Sequence, residues 1–202
     1  MKIYSSKTAP NPRRVRIFLA EKGIDVPYVE VDIGKGENSK PEFLALNPLG
    51  RLPVLELDDG STVAESIAIC RYFDELEPLP PLFGTGAHDK ALVEMWERRM
   101  EFELFLPISM TFRHTHAFFR GRYAQSAEWG ELCRKHAEHS LGWLDKELAD
   151  REFIAGARFT VADITALCAV DFGRVSAIRI SPEQKNLARW HASVSSRPSA
   201  KA

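Results

Sequence analysis

The chain has 202 residues, 45% of them hydrophobic, and its 27 basic and 28 acidic side chains give a net charge of −1. The apolar content suffices for a real core in one domain or in two small ones, whereas the balanced charge excludes a strong long-range attraction to nucleic acid or to an anionic membrane. The N-terminus lacks the apolar stretch of a signal peptide, and the 3 cysteines are too scattered for a disulfide framework or a structural zinc site. We therefore expect a soluble cytoplasmic protein that has no metal and no nucleic-acid or membrane partner.

The N-terminal part of the chain alternates short strand and helix patterns. The predicted elements, in chain order, are a strand at 2–5, a helix from an Asn11 cap to Gly23, a strand at 27–32, a short helix from a Ser39 capping box to Leu46, a hairpin at 54–64 and a helix at 66–76. The resulting order, β-α-β-α-β-β-α, is that of a small α/β unit.

The composition changes after this unit. Residues 77–86 hold 3 prolines and 2 glycines, which predicts a linker or an extended crossing. The rest of the chain shows no convincing strand. It predicts helices at 89–119 with a bend near Pro107, at 126–148, from a capping box at 160–163, and from Ser181. We therefore predict an α/β domain at 1–78, a linker at 79–88 and an all-helical domain at 89–202.

This order, together with three motifs, resembles the cytosolic glutathione transferase family over essentially the whole chain. The motifs are NPLGRLPVL at 47–55, AES at 64–66 and FTVADI at 159–164. The resemblance implies a thioredoxin-like N-terminal domain followed by an all-helical bundle. Residues 4–11 contain no cysteine, which indicates a member outside the branch that depends on a catalytic cysteine.

The resemblance implies a glutathione site at the first two motifs. In the family Pro53 would be cis, and it would turn the amide and carbonyl of Leu52 outward to pair with the cysteinyl part of glutathione as an added strand. Glu65 and Ser66 would hold the γ-glutamyl group. This role for the pair is physically reasonable, because a helix N-terminus presents unpaired N–H groups to a carboxylate. A plain helix cap is the alternative for this pair.

Further candidates in the N-terminal half concern the glycyl carboxylate and the sulfur of glutathione. Lys40 and Arg51 flank the proposed site in sequence, and one of them could hold the carboxylate; a solvated surface charge is the alternative. Thr8 falls where serine-type family members carry their serine, so its hydroxyl could donate to the thiolate. Asn11 is a spare donor in the same loop, although a helix cap explains it equally well.

Two candidates lie in the helical half. Ser109 and His114 are five residues apart on a segment that the family analogy places across a cleft from the N-terminal domain. They could hold a water against the sulfur or act as acid and base toward the second substrate. Packing or surface roles are the alternative.

The remaining expectations concern aromatic and basic side chains. The second-substrate surface is expected to be apolar, with its aromatic candidates at Phe102, Phe105, Phe112, Phe118 and Phe119. The basic group Arg113, Arg120 and Arg122 is interpreted as a solvated edge, with an anionic co-substrate as the alternative. Arg13 and Arg14 are expected on the exposed face of the first helix.

The resemblance implies a glutathione transferase, in which glutathione is the co-substrate and its thiolate attacks a small apolar electrophile. The alternatives are a glutathione-dependent peroxidase, isomerase or dehalogenase, or a non-catalytic glutathione-binding or interaction protein on the same fold. The family also implies a homodimer, in which each N-terminal domain packs on the partner's helical domain. Family members often continue beyond the position of Pro198 with a final segment, which we expect to be absent or cut here.

Overall fold

The computed structural model describes every residue from 1 to 202, and the chain divides into two units. The N-terminal unit comprises Met1–Leu82 together with Lys201–Ala202, and the helical unit comprises Phe83–Ala200. The first unit combines strands with helices, and the elements of the second are all helical. This confirms the predicted fold class, an α/β domain followed by an all-helical one.

The N-terminal unit follows the predicted element order. Its elements are β1 (Lys2–Ser5), α1 (Pro10–Lys22), β2 (Tyr28–Glu30), α2 (Pro41–Leu46), β3 (Val54–Glu56), β4 (Thr62–Ala64) and α3 (Ser66–Leu76). The strands form one sheet in the order β2-β1-β3-β4. β1 pairs with β2 in parallel, as a helical crossover requires, whereas β3 pairs with β1 and β4 in antiparallel fashion.

Two groups of apolar side chains hold this unit together. α1 packs against α3, and both helices bury their apolar faces completely at Val15, Phe18 and Ile69. Each such side chain contributes about 1.5–3 kcal/mol by leaving water. The second group surrounds the chain before β3 and consists of Val31, Phe43, Leu52 and Val54, with Tyr4, Ile33 and Leu46 packed against it.

Lys22 joins the end of α1 to the chain that follows α3. Its ammonium lies 2.6 Å from a carboxylate oxygen of Asp74. It also donates hydrogen bonds of 2.7 Å to the backbone carbonyls of Glu77 and Pro80. The side chain is fully buried, so these three oxygens replace the water that an exposed lysine would bind.

The helical unit contains five α-helices. They are α4 (Gly86–Arg99), α5 (Leu106–Thr115), α6 (Ala127–Glu147), α7 (Val161–Gly173) and α8 (Lys185–Ser195). None of the helices in the protein combines the length and the apolar character needed to cross a bilayer.

The helix predicted at 89–119 is divided into several segments. A π-helical turn at Met100–Phe105 separates α4 from α5, and a 3-10 turn at Ala117–Phe119 follows α5. The π turn ends just before Pro107, which has no N–H to bond the carbonyl of Glu103. The predicted bend near the proline is therefore a local widening of the helix.

α7 is the core of the helical unit, and its predicted capping box is confirmed. Asp163 accepts hydrogen bonds from the amide of Thr160 at 2.9 Å and from its hydroxyl at 3.1 Å. The same carboxylate accepts from the amide of Ile154 and from the indole of Trp190, each at 2.9 Å. Burial raises the pKa of Asp163 to about 6, although these four hydrogen bonds act in the opposite direction.

The predicted starts of α2 and α8 are wrong. Lys40 occupies the cap position of α2 without a side-chain cap bond, so the predicted Ser39 capping box does not form. The reason is that the next residue is a proline, which takes the first helical position. α8 begins at Lys185, because the hydroxyl of Ser181 donates to Glu183 at 2.7 Å and stabilises a turn ahead of the helix.

Candidate functional site

Three separate parts of the chain leave the sheet at the same end because of the strand register. Tyr4 pairs with Val54, the first residue of β3, and Val54 pairs in turn with Ala64, the last residue of β4. The loop after β1, the residues before β3 and the residues after β4 therefore all lie at the same end of the strands. The candidates at this end are Thr8, Leu52, Pro53, Glu65 and Ser66.

Leu52, two residues before β3, has backbone polar groups that make no hydrogen bond within the protein. The Leu52–Pro53 peptide bond is cis, as the family resemblance implied. Neither the N–H nor the C=O of Leu52 hydrogen-bonds to the rest of the chain, although the residue is only 8% exposed. Its side chain is anchored among Val31, Phe43 and Val54. An extended peptide placed alongside could satisfy both backbone groups as an added strand.

The loop that leads to Leu52 is held by side-chain amides. Asn47 donates to the carbonyl of Arg51 at 2.8 Å and accepts from the amide of Leu49 at 3.2 Å. Asn38 donates to the carbonyl of Gly50 at 2.8 Å. Gly50 has a φ of 61°, and a Cβ there would lie 2.9 Å from the carbonyl oxygen of Asn38, so a larger residue would displace this loop.

The N-terminus of α3 forms the second part of the site. Glu65 has a φ of 71° and a ψ of 122°, which is rare for a non-glycine residue, and its side chain is exposed. Ser66 is buried and follows as the first residue of the helix. The unpaired amides of this first turn carry partial positive charge, which favours a bound carboxylate.

Arg14 corrects a prediction and adds a residue to the site. It was expected on the exposed face of α1, but it is 1% exposed, and its Nη1 donates to the hydroxyl of Ser66 at 3.3 Å. Arg14 lies three and four residues before the buried Ile17 and Phe18, so it falls on the apolar face of α1. The spacing of Arg14 from these apolar residues is visible in the sequence and would have predicted that its side chain is buried.

The loop after β1 is fixed by one arginine. Arg16 donates to the hydroxyl of Ser5 at 3.0 Å and to the carbonyl of Ser6 at 3.2 Å. Thr8 is exposed at the end of this loop, and its hydroxyl oxygen lies 3.5 Å from that of Ser6. A hydroxyl in this position is supported by the loop and accessible to a ligand.

Asn11 is not the cap of α1, because Ala9 occupies that position and the helix begins at Pro10. Pro10 and Pro12 have no N–H, so Asn11 supplies the only backbone donor among the first three helical residues. This amide makes no hydrogen bond within the protein. The start of α1 therefore offers a free N–H and the positive end of a helix dipole, both of which stabilise a thiolate.

Two basic candidates near the site make no polar side-chain contact within the protein. Lys40 stands directly before α2, and Arg51 directly precedes Leu52. Both side chains are exposed and form no hydrogen bond or ion pair. Their charges are therefore available to an anionic ligand, although they are not fixed in place.

Ser109 and His114 lie in the helical unit, on α5, and no hydrogen bond joins them. The Nδ1 atom of His114 accepts from the amide of Ser126 at 3.0 Å, and its ring lies edge-on to Tyr123 with centroids 5.4 Å apart. Ser126 is the cap of α6, so His114 supports the start of that helix. The catalytic role of both candidates stays a prediction.

Known proteins match the chain along almost its whole length. A family model for the glutathione S-transferase N-terminal domain matches residues 8–76, and one for the C-terminal domain of the same proteins matches residues 109–198. Glutathione S-transferase 2 of Saccharomyces cerevisiae is 38% identical, in an alignment that covers 100% of this chain and 88% of that protein.

Solved structures agree with these matches. The crystal structure of Gtt2 from Saccharomyces cerevisiae superposes with a TM-score of 0.95 at 38% identity, covering 100% of this chain and 99% of the yeast chain. A glutathione S-transferase domain-containing protein from Marinobacter aquaeolei VT8 superposes with a TM-score of 0.94 at 38% identity, covering 98% and 99% of the two chains.

Proposed function

Because the chain belongs to the glutathione S-transferase family, we propose that it binds glutathione and conjugates it, through its thiolate, to small apolar electrophiles. The observation that carries this proposal is that two features able to bind polar groups of a ligand lie at the same end of the sheet. One is the unpaired backbone of Leu52, and the other is the N-terminus of α3 with Ser66 and the buried Arg14.

These features match the two ends of the dipeptide formed by the γ-glutamyl and cysteinyl groups. The cysteinyl N–H and C=O pair with the backbone of Leu52 beside Pro53. The γ-glutamyl carboxylate sits at the start of α3, where it accepts from the hydroxyl of Ser66 and from the first amides. The exposed carboxylate of Glu65 accepts from the ligand's ammonium group. The buried guanidinium of Arg14, behind Ser66, adds positive charge to this end of the site.

The glycyl carboxylate is assigned to Lys40 or Arg51. Both cations are exposed and are not engaged by any acidic side chain of the protein. Arg51 has the stronger case, because it adjoins Leu52 and its guanidinium can bind a carboxylate with two parallel hydrogen bonds.

Sulfur activation is assigned to the start of α1. The hydroxyl of Thr8 and the free amide of Asn11 would both donate to the thiolate, which lowers the pKa of the thiol and increases the nucleophilic fraction at neutral pH. Ser109 and His114 remain further candidates, either to hold a water against the sulfur or to act as acid and base toward the second substrate.

Two assays test the proposal in sequence. The protein should be retained on immobilised glutathione and eluted by free glutathione. It should then speed the reaction of glutathione with 1-chloro-2,4-dinitrobenzene, in which a carbon–sulfur bond forms and chloride leaves. Ser66→Ala should weaken retention, whereas Glu75→Gln, an exposed change farther along α3, should not. Retention without any consumption of thiol above background would favour a binding protein over a transferase.

We also propose a homodimer in which each N-terminal domain packs on the helical domain of its partner. Sedimentation equilibrium should give twice the chain mass at micromolar concentration. A monomer at that concentration would refute this arrangement.

A further inference from the structure

The groups proposed to hold the γ-glutamyl and cysteinyl parts of glutathione are buried and fixed. Ser66 is 6% exposed, and its hydroxyl accepts a hydrogen bond from the Nη1 atom of Arg14, which is 1% exposed. Leu52, which would pair with the cysteinyl backbone, is 8% exposed, and its side chain packs with Phe43 and Val54. Because these groups are largely shielded from water, binding a ligand that lacks the matching polar atoms carries a high cost.

The groups proposed to hold the glycyl carboxylate are of the opposite kind. Lys40 and Arg51 are both exposed, and neither side chain forms a hydrogen bond or an ion pair within the protein. An exposed pair of charges changes affinity by no more than about fivefold, since both ions are well hydrated when apart and the long side chain must be ordered to form the pair. Loss of this contact simply returns the cation to water.

The side-chain amides of the same loop do not supply a firmer contact. Asn47 is 4% exposed, but its amide nitrogen donates to the carbonyl of Arg51 and its oxygen accepts from the backbone amide two residues later. The amide nitrogen of Asn38 donates to the carbonyl of Gly50. These hydrogen bonds hold the loop backbone that precedes the cysteinyl contact. Recognition of the third residue of the ligand therefore depends on the two exposed cations.

The selectivity of the site for thiols follows from this difference in burial. A binding site discriminates strongly against an analogue where the missing group would leave buried polar atoms unpaired. By that criterion the γ-glutamyl carboxylate, which is assigned to Ser66 and the start of α3, is required. The glycyl carboxylate is not required, because its assigned partners are exposed. The free energy of recognition is therefore concentrated in the first two residues of the tripeptide.

We propose that the site selects γ-glutamylcysteine thiols as a class, so that the residue after cysteine can be glycine, its amide or β-alanine. This selectivity rests on the proposed function, because it concerns the same glutathione site. Each member of the class is conjugated by the same step. The thiol loses its proton to solvent, the thiolate forms a carbon–sulfur bond with the electrophile, and the leaving group departs with the bonding electrons.

Two analogues of glutathione, each altered at one carboxylate, test this selectivity. Glutathione amide has a neutral carboxamide in place of the glycyl carboxylate, and γ-aminobutyryl-cysteinylglycine lacks the γ-glutamyl carboxylate. Calorimetry without an electrophile measures the Kd of each thiol, so the comparison does not depend on turnover. The amide should bind within about fivefold of glutathione, whereas the γ-aminobutyryl peptide should bind about a hundredfold more weakly. The β-alanine homologue of glutathione should behave like the amide.

Variants of the chain separate the two parts of the site. K40Q/R51Q removes both candidate partners of the glycyl carboxylate, so it should bring the Kd values of glutathione and its amide to within about twofold of each other. Ser66→Ala should weaken both thiols by the same factor and keep their ratio, because it acts on the part that they share. The exposed change Glu75→Gln, farther along α3, is the matched control and should preserve every Kd.

Three results would overturn this selectivity and leave the proposed function intact. They are a loss of affinity of about tenfold or more for glutathione amide, equal binding of the amide and the γ-aminobutyryl peptide, and conjugation of glutathione without conjugation of the bound amide. Rates with 1-chloro-2,4-dinitrobenzene are compared after correction for the thiolate fraction of each thiol. The expected order of Kd values without conjugation of any thiol would remove only the transferase reaction, whereas failure to bind glutathione itself would remove both.

Discussion

The Nη1 atom of Arg14 lies 3.3 Å from the hydroxyl oxygen of Ser66, and this hydrogen bond connects the first helix to the helix N-terminus that is proposed to bind glutathione. Arg14 is 1% exposed, so its charge acts through protein rather than through water. A carboxylate bound at Ser66 would therefore be stabilised by the start of α3 and by a cation behind it.

Removing this cation should weaken glutathione binding. We expect Arg14→Met to raise the KM for glutathione by about tenfold, because a charge-assisted stabilisation of the bound carboxylate is lost. Arg14→Lys should recover part of this loss, since it keeps the charge without the planar fork. Steady-state kinetics at varied glutathione concentration measures both variants. An unchanged KM in a folded Arg14→Met protein would show that Arg14 has only a structural role.

The hydroxyl of Thr8 should affect the ionisation of the bound thiol. We expect Thr8→Ala to lower kcat/KM by about tenfold at neutral pH and to move the pH–rate profile toward higher pH, because a donor to the thiolate is lost. Thr8→Ser keeps the hydroxyl and should retain the wild-type profile. A Thr8→Ala profile identical to that of the wild type would assign sulfur activation to the amide of Asn11 or to the candidates Ser109 and His114.

His114 can be tested for two roles with one pair of variants. His114→Ala should lower the free energy of unfolding by about 0.5–1.5 kcal/mol, because the amide of Ser126 loses its acceptor within the protein. His114→Asn retains an acceptor and should lose less stability. If the imidazole helps to activate the sulfur, both variants should lose turnover while glutathione binding persists. Full activity of His114→Asn would limit the histidine to supporting α6.

The stability of the helical unit should depend on pH through Asp163. Its pKa of about 6 in the folded state exceeds the usual value of 3.8, so the folded protein binds more protons than the unfolded chain between these values. The contribution of Asp163 is therefore fully present below about pH 4, falls as the pH rises, and is lower by up to about 3 kcal/mol above pH 6.

Comparison with Asp163→Asn isolates this contribution, because the other titrating groups are shared. Denaturant unfolding at several pH values should show the wild type losing stability relative to the variant between about pH 4 and pH 6. A difference that stays constant, or that favours the wild type as the pH rises, would contradict the assignment. Loss of the hydrogen bonds to Thr160 and Trp190 should also make the variant less stable at every pH.

Lys22 should be one of the most sensitive positions of the N-terminal unit. Lys22→Met leaves the largely buried Asp74 without its cation and removes donors from two backbone carbonyls, so we expect a loss of about 3–5 kcal/mol. Lys35→Met, which breaks the exposed ion pair with Asp32, is the matched control and should change stability little. Similar losses in the two variants would show that burial does not set the strength of the Lys22 pair.

Much of the fold could be predicted because the decisive signals are local. The strand at Lys2–Ser5 and the helix at Ser66–Leu76 have the predicted ends, and the Thr160 capping box forms as expected. In these places periodicity, turn residues and cap chemistry agree with one another. Leu52 and Pro53 were predictable only from the family motif, since a single proline does not reveal the conformation of its peptide bond.

The errors have physical causes that are equally specific. Asn11 was assigned as a cap because it precedes a proline, but the earlier Pro10 takes the first helical position and leaves Asn11 inside the helix. Arg14 was placed on the surface because charged side chains are usually exposed, although its position on the helix face pointed inward. In both cases the position of the residue within its helix mattered more than the chemical type of its side chain.

The register that assembles the candidate site also determines where the protein can be extended. β3 begins at the candidate site and runs to the turn at residues 58–60, and the N-terminal ammonium pairs with Asp58 at that distant end of the sheet. An affinity tag fused ahead of Met1, or a short reporter peptide inserted after Asp59, would therefore emerge a full strand length away from Leu52 and Ser66. Surface immobilisation through either point should therefore leave the candidate site accessible to soluble compounds.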